Sequence, residues 1–287
     1  MNSLCSDVKV VCLFSISRTG SNYLANVLRN LPEVDVYAEI FHPEQAFSVS
    51  EETCRFINDR HKTGARDLSK PDDAEFSSWI RSHPKETVLA LVDFARLAGK
   101  KAVYLKIFND HLIGVKEGLE ALATIPGFTP VILQRRCVDS FISFRKAKIT
   151  KSYVQNRTTG VKPALNVDQY MRWRQPRLDW YSLVYSVMSK KGLKVHQVTY
   201  EDDIDIGNEA CAIHWRDLLK SWVGAAEHES ELNTDAGFDA TLVDEQSLIG
   251  RQDDSATEDK IANWDEFYEA LKNAGLAREA MSYLSFK

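Results

Sequence analysis

The sequence predicts an α/β protein in which a central, mainly parallel sheet is flanked by helices in three layers. Three observations predict it. Apolar, β-branched segments of strand length alternate with segments whose apolar residues repeat at helical spacing. The first strand, Lys9–Ser15, is apolar almost throughout, as is typical of a parallel strand covered on both faces. No Pro-, Gly- or Ser-rich linker interrupts the 287 residues, so a single domain over 1–287 is expected.

The first helix follows directly, because Leu24, Val27, Leu28 and Leu31 share one helical face before Pro32. The other elements are predicted in chain order: a strand at 34–39, a helical insertion at 51–100 broken at Pro71 and Pro84, strands at 102–108 and 130–136, a helix from near Val138, a long helix from 167 to Gly192 kinked at Pro176, a strand within 193–202, a long surface loop at 227–259, and closing helices at 261–275 and 278–286.

Composition excludes several classes of protein. The net charge of -5 argues against a nucleic-acid binder. The five cysteines contain no CxxC pair, which favours reduced thiols over a disulfide framework. The first apolar run is too short for a signal peptide, and no stretch approaches the ~20 apolar residues that span a bilayer. We therefore expect a cytoplasmic protein without stable membrane insertion.

The segment Phe14–Asn22, "FSISRTGSN", lies between the first strand and the first helix. Ligands of parallel sheets bind beyond this end of the strands, and a helix N-terminus offers free N–H groups and a positive dipole to an anion. The alternative is an ordinary turn with a serine cap. The candidate anion-binding residues are Ser17, Arg18, Thr19, Gly20, Ser21 and Asn22.

This loop lacks the lysine of a Walker A motif. If Gly20 takes the second glycine position, Ser21 stands where the lysine belongs and Asn22 where the magnesium-binding hydroxyl belongs. Ser15 stands in place of the first glycine. The pattern therefore disfavours magnesium-dependent nucleotide hydrolysis and an atypical P-loop kinase.

A second candidate anion site follows the strand at 130–136. Arg135 and Arg136 end this strand, and Ser140 lies in the first turn of the next helix. Two guanidinium groups beside a helix N-terminus suit a phosphate. The alternative is that Arg136 is a surface charge and Ser140 a first-turn hydroxyl.

With both motifs in place, the chain resembles sulfotransferases that use 3′-phosphoadenosine 5′-phosphosulfate (PAPS). The motifs that carry the resemblance are "SISRTGSNYL" and "RRCVDSFISFRKAKIT", supported by Trp180-Tyr181, "VTYEDD" and "RQDDSATEDKIANWDEF". They are most similar to the bacterial trehalose-sulfotransferase-like branch. The resemblance covers most of the chain in patches and leaves 51–100 unmatched.

The resemblance implies a P-loop-like fold and PAPS as the sulfuryl donor, with 3′,5′-ADP (PAP) as product and no metal. It implies that the first loop holds the 5′-phosphosulfate, and that Arg136 and Ser140 hold the 3′-phosphate. In relatives a segment like "IGRQ" closes over the 3′-phosphate, which makes Arg251 a further candidate and places the loop 227–259 near the cofactor. Some members of this branch are dimers, so a homodimer is also expected.

Transfer to a hydroxyl needs a base for its proton. In the branch that this chain resembles, a glutamate at the position of Glu39 is the proposed base. His42 and His111 are alternative bases, and His42 alternatively orients the acceptor.

Lys106 interrupts an apolar strand, where a lysine is costly to bury unless its ammonium group reaches an anion. Many sulfotransferases carry a strand lysine here, so it is expected to contact the sulfuryl group or Glu39. Cytosolic members often have Lys-x-His, whereas this chain has Phe108 at the histidine position. The alternative is an edge-strand lysine that extends to water.

The acceptor is the least defined part. A row of aromatic residues lines a sugar pocket or belongs to the core: Tyr170, Trp173, Trp180, Tyr181 and Tyr185. Three arginines on the same helix meet an anionic acceptor or face solvent: Arg172, Arg174 and Arg177. We expect a small-molecule or glycan acceptor, a carbohydrate or glycolipid hydroxyl first. The alternatives are a phenolic, lipid or other small-metabolite hydroxyl or amine, and a non-catalytic module that binds a 3′-phosphoadenosine nucleotide.

Overall fold

The central sheet is entirely parallel in the computed structural model, which describes residues 8–61, 70–151, 158, 160–223 and 255–286. Its five strands stand in the order β2-β3-β1-β4-β5. Their bounds are Lys9–Phe14 (β1), Val34–Val36 (β2), Ala102–Ile107 (β3), Phe128–Gln134 (β4) and His196–Thr199 (β5).

The central strand β1 pairs with β3 on one side and with β4 on the other. Its residues from Val10 to Phe14 have no exposed surface, since helices cover both faces of the sheet. This confirms the predicted three-layer α/β fold and explains why the strand is apolar on both faces.

Helices surround the sheet in two hydrophobic layers. On one face, the apolar sides of the first helix and of a later helix near the C-terminal third pack together. The larger core lies on the other face, which most of the remaining helices cover. The helices are α1 (Ser21–Arg29), α2 (Glu51–His61), α3 (Ala74–Ser82), α4 (Pro84–Leu97), α5 (Val115–Leu122), α6 (Cys137–Thr150), α7 (Val167–Lys190), α8 (Tyr200–Asp203), α9 (Asn208–Val223), α10 (Trp264–Asn273) and α11 (Ala277–Ala280), with a short 3-10 helix at Glu258–Lys260.

The described part of the 51–100 insertion consists of α2, α3 and α4. Pro84 occupies the first turn of α4, where its missing N–H costs no hydrogen bond. Cys54, Phe76 and Leu91 are fully buried in the same core cluster as Phe14 of β1. The segment therefore packs directly onto the sheet.

Helix α7 spans Val167–Lys190 with Pro176 inside it, which confirms the predicted long helix. Other details of the predicted elements are wrong. The second strand ends at Val36 and is followed by turns, so Glu39 lies in a turn and not at a strand end. Helix α9 was not predicted, because its apolar residues are interrupted by charged ones, and α11 spans only Ala277–Ala280 of the predicted closing helix.

Other expectations concern the environment of the chain. Four cysteines are unpaired and buried in the described part, namely Cys12, Cys54, Cys137 and Cys211, in agreement with the prediction of reduced thiols. Among the described residues, no helix combines the length and apolar character that crossing a membrane requires. Residues 227–254, which hold most of the predicted loop and Arg251, lie outside the described residues.

Candidate active site

The first predicted anion loop connects β1 to α1 at the carboxyl edge of the sheet. Arg18 and Gly20 have positive φ angles of 77° and 87°. Gly20 is the N-cap of α1, and no side chain makes a capping hydrogen bond there. The alternative of a serine-capped turn is therefore wrong, and the first N–H groups of α1 are left for another acceptor.

The hydroxyl of Thr19 holds the loop together. Its Oγ1 donates to the Ile16 carbonyl oxygen at 2.9 Å and lies 2.6 Å from Ser15 Oγ. Thr19 and Ser15 are fully buried, whereas Ser17 is exposed. The geometry thus gives Thr19 a role in loop shape, whereas Ser17 is exposed at the edge of the loop.

Gly20 also lies close to Tyr200, the residue that follows the edge strand β5. A Cβ atom on Gly20 would lie 2.3 Å from Cδ2 of Tyr200. The Tyr200 ring in turn stacks on the guanidinium of Arg135, 4.4 Å from its centroid. Only glycine combines this φ angle with this close approach.

Arg135, and not Arg136, is the strand-end arginine that contacts the loop. Its Nη1 donates to the carbonyl oxygen of Arg18 at 3.3 Å. Arg18 Nε donates to Ser143 Oγ on α6 at 3.0 Å. Two guanidinium groups and a hydroxyl therefore converge at the loop, and the buried Nε of Arg135 has no hydrogen-bond partner within the described part of the chain.

Arg136 contacts two carboxylates, and Ser140 is buried. Arg136 Nε lies 3.0 Å from the buried carboxylate of Asp139 and 3.5 Å from Glu201. Asp139 also accepts from Thr257 Oγ1 at 3.1 Å, so the described end of the predicted 227–259 loop reaches this point. Ser140 is 2% exposed, and its hydroxyl has no partner among the described residues. Carboxylates compete with a phosphate for Arg136.

The second group of candidate residues lies on the other side of the loop. Lys106 on β3 is only 1% exposed, and its Nζ lies 2.6 Å from Glu39 Oε1. The same ammonium donates to Asn22 Oδ1 at the start of α1. Burial lowers the pKa of Lys106, and Glu39 opposes that shift. Since β3 is an inner strand, the interpretation of an edge lysine extending to water is wrong.

The two histidines lie side by side next to this pair. The ring centroids of His42 and His111 are 5.7 Å apart. His42 Nδ1 accepts the backbone N–H of Glu44 at 3.2 Å, which leaves its Nε2 for another partner. His111 is 1% exposed, and neither of its ring nitrogens has a hydrogen-bond partner among the described residues.

Burial lowers the pKa of His111 to about 3, and the neighbouring His42, Lys106 and Arg81 add to the effect. His111 is therefore neutral in the folded protein at neutral pH. A neutral imidazole can exchange hydrogen bonds with a hydroxyl, but a pKa this low makes it a weak base.

The same shift predicts a pH dependence of stability. Between pH 6.5 and about 3 the unfolded chain binds a proton on His111 that the folded chain excludes, so stability falls as the pH falls. From pH 7 to pH 5 we expect His111 to account for about 2 kcal/mol of lost unfolding free energy. Urea unfolding of wild type and His111→Phe at both pH values measures it. Equal losses in the two proteins contradict the prediction.

Two residues at the site, Ser143 and Tyr200, were not predicted from the sequence. Ser143 lies one helical turn beyond Ser140, and Tyr200 follows the last strand of the sheet. The rule that ligands bind at the carboxyl ends of parallel strands applies to Tyr200 as well, and was a usable signal.

Fold and site together define an α/β protein with a turn after its central strand that leads into a helix without a side-chain cap, and a lysine–carboxylate pair beside it. No family model matches this chain, and no curated protein matches it in sequence. Among the described residues, no group of three or more His, Cys, Asp or Glu side chains is arranged to hold a metal ion.

Proposed function

We propose that this protein is a sulfotransferase that moves the sulfuryl group of PAPS to a hydroxyl group of an acceptor. The observation that carries the proposal is the contact of Lys106 with both Glu39 and Asn22. It joins a carboxylate and a buried cation to the first turn of the anion loop. A base for the acceptor proton and donors for the developing negative charge thus stand together.

The residues present fit a phosphosulfate donor. The loop offers uncapped N–H groups, Arg18 and the neighbouring Arg135, and the buried Arg135 Nε is without a partner in the described part. When bound, PAPS supplies an activated sulfuryl group and a leaving group, PAP. Ser17, Arg18, Gly20 and the start of α1 would hold its 5′ end, with Arg135 and Ser143 beside them.

Glu39 is the base in this proposal. Its carboxylate lies 2.6 Å from Lys106 Nζ, and its side chain keeps 20% exposure, so an acceptor hydroxyl can reach it. The acceptor oxygen forms a bond to sulfur as the bond from sulfur to the phosphate oxygen breaks, and the hydroxyl proton passes to Glu39. Lys106 lies beside the developing charge, and the neutral His111 with His42 binds and orients the acceptor.

The acceptor in this proposal is a carbohydrate or glycolipid hydroxyl. Two histidines beside Phe47 and Phe108 combine hydrogen-bonding groups with aromatic faces, a combination suited to a sugar ring. We also propose a cytoplasmic setting, because buried unpaired thiols persist in a reducing compartment.

Thermal unfolding with added nucleotide tests the donor site. We expect PAP to raise the unfolding temperature and ATP with magnesium to leave it unchanged, because only a ligand of the native state stabilises it. Stabilisation by ATP with magnesium alone would contradict the proposal and favour the alternative of an atypical P-loop kinase.

The two arginines at the end of β4 make a matched pair of variants. Arg135→Gln should weaken PAP binding at least about tenfold, since it removes a charge-assisted donor beside the loop. Arg136→Gln should have a smaller effect, because Asp139 and Glu201 already engage that guanidinium. Titration calorimetry with PAP measures both. A larger loss in Arg136→Gln would restore the interpretation in which Arg136 holds the 3′-phosphate.

Radiolabelled PAPS with a library of hydroxyl compounds identifies the acceptor. We expect label transfer to a sugar or glycolipid before phenols or simple alcohols. A protein that binds PAP tightly but labels none of them would be the non-catalytic binding module.

A further inference from the structure

We propose a second, anion-binding site in the groove between α6 and α7, suited to a small polyhydroxylated molecule with two oxyanion groups. The groove has a volume of about 370 Å³. Its charged residues are all basic: Arg145 and Lys148 line it from α6, and Arg172 and Arg177 line it from α7. The proposal does not depend on what the loop after β1 binds.

In the described part of the chain, no carboxylate pairs with the cations of this groove. None of these four side chains makes an ion pair within residues 8–61, 70–151, 160–223 and 255–286, and no acidic residue lines the groove. Arg177 instead stacks on Trp173 at 4.4 Å and on Phe144 at 5.1 Å. Burial lowers the pKa of Arg177 to about 10, and its Nη1 donates to the Trp173 carbonyl oxygen at 2.6 Å.

Buried donors in the groove point to a missing acceptor. Trp173 is 5% exposed, and its indole Nε1–H has no hydrogen-bond partner among the described residues. The Nε–H groups of Arg145 and Arg177 are buried and unpartnered in the same way. A buried donor without an acceptor destabilises the fold, and an oxyanion bound here would satisfy it.

The chemistry of the lining also indicates the body of the ligand. Gln169 places a buried, unpartnered side-chain oxygen in the groove, which can accept from a ligand hydroxyl. Basic residues on both walls provide for two separate oxyanion groups. A sugar carrying two phosphate or sulfate groups combines these features.

The groove and the loop after β1 lie on different sides of α6. Phe141, Phe144 and Lys148 share the groove face, at spacings of three and four residues. Ser143, which contacts Arg18, is rotated by roughly 150° from the centre of that face at 100° per residue. The two sites can therefore be altered independently.

Titration calorimetry with glucose 1,6-bisphosphate at low ionic strength tests the site. We expect saturable binding with one equivalent that glucose does not show, and weaker binding of inorganic phosphate. Arg145→Gln, Lys148→Gln and Arg177→Gln should each weaken binding about tenfold, as loss of a charged hydrogen-bond donor does. Lys148 is exposed, so its variant keeps the test valid if the others fail to fold.

Two matched controls separate this site from general charge and from the loop. Arg278→Gln removes an exposed arginine outside the groove and should leave binding unchanged, as should Arg18→Gln. Equal weakening in Arg278→Gln would show nonspecific attraction and overturn the proposal. Loss in Arg18→Gln, or no binding to wild type, would overturn it as well.

Discussion

Glu39→Gln is expected to abolish turnover while leaving PAP binding within a few-fold of wild type. Loss of a general base lowers rates by about 10²–10⁴-fold, and the amide cannot take the acceptor proton. PAP binding should persist because the donor groups of the loop are not altered. Transfer of labelled sulfate to the acceptor identified in the screen, together with PAP calorimetry, measures both effects.

The matched control for this variant is Glu44→Gln. Glu44 is an exposed carboxylate five positions further along the same turn region, so this change should keep wild-type turnover. Glu39→Gln also leaves Lys106 with one partner fewer, and thermal unfolding reveals any loss of fold. A folded Glu39→Gln protein with near-wild-type turnover would move the base to His42 or His111.

Gly20→Ala is expected to have the second large effect, a combined loss of stability and of PAP affinity. The added methyl group would overlap the Tyr200 ring, and alanine is strained at a φ of 87°. Backbone strain of this kind costs about 1–3 kcal/mol. Displacement of the loop should further weaken PAP at least about tenfold, because oxyanion donors depend on exact placement. Urea unfolding and calorimetry measure the two losses.

Gly160→Ala separates the two causes. Gly160 has the same φ of 87°, but nothing lies within 4 Å of the position that its Cβ would take. This variant should lose unfolding free energy through backbone strain alone, because no side chain is overlapped. Its PAP affinity should stay unchanged. If both glycine variants behaved alike, the packing of Tyr200 on the loop would be irrelevant to binding.

Local patterns in the sequence predicted the sheet and the loop well. The strand is continuously apolar from Val10 to Phe14, and the following glycine and helical spacing determine where the turn lies. The sulfotransferase proposal depends on residue motifs in the loop after β1 and in the segment after β4.

Local sequence patterns do not predict which residues far apart in the chain come into contact. No pattern around Arg135 and Arg136 shows that one faces the loop while the other faces Asp139. The choice depends on the twist of β4 and on the placement of α6. Similarly, the role of Lys106 depends on Asn22, a residue 84 positions away in the chain. The groove residues on α6 and α7 form a site only when the two helices pack together.

Residues that are synthesised late contact the loop after β1, and this has a consequence for biosynthesis. Trp180 donates to the Ser15 carbonyl oxygen across 165 positions, and Tyr200 reaches Gly20 from beyond β5. A nascent chain that has emerged only through α6 can pair its first strands but lacks both braces. Since chains emerge at about 5–20 residues per second, the loop acquires its final shape seconds after its own synthesis. If the protein binds PAP as proposed, that binding reports the completion of folding, and fragments lacking β5 should not bind.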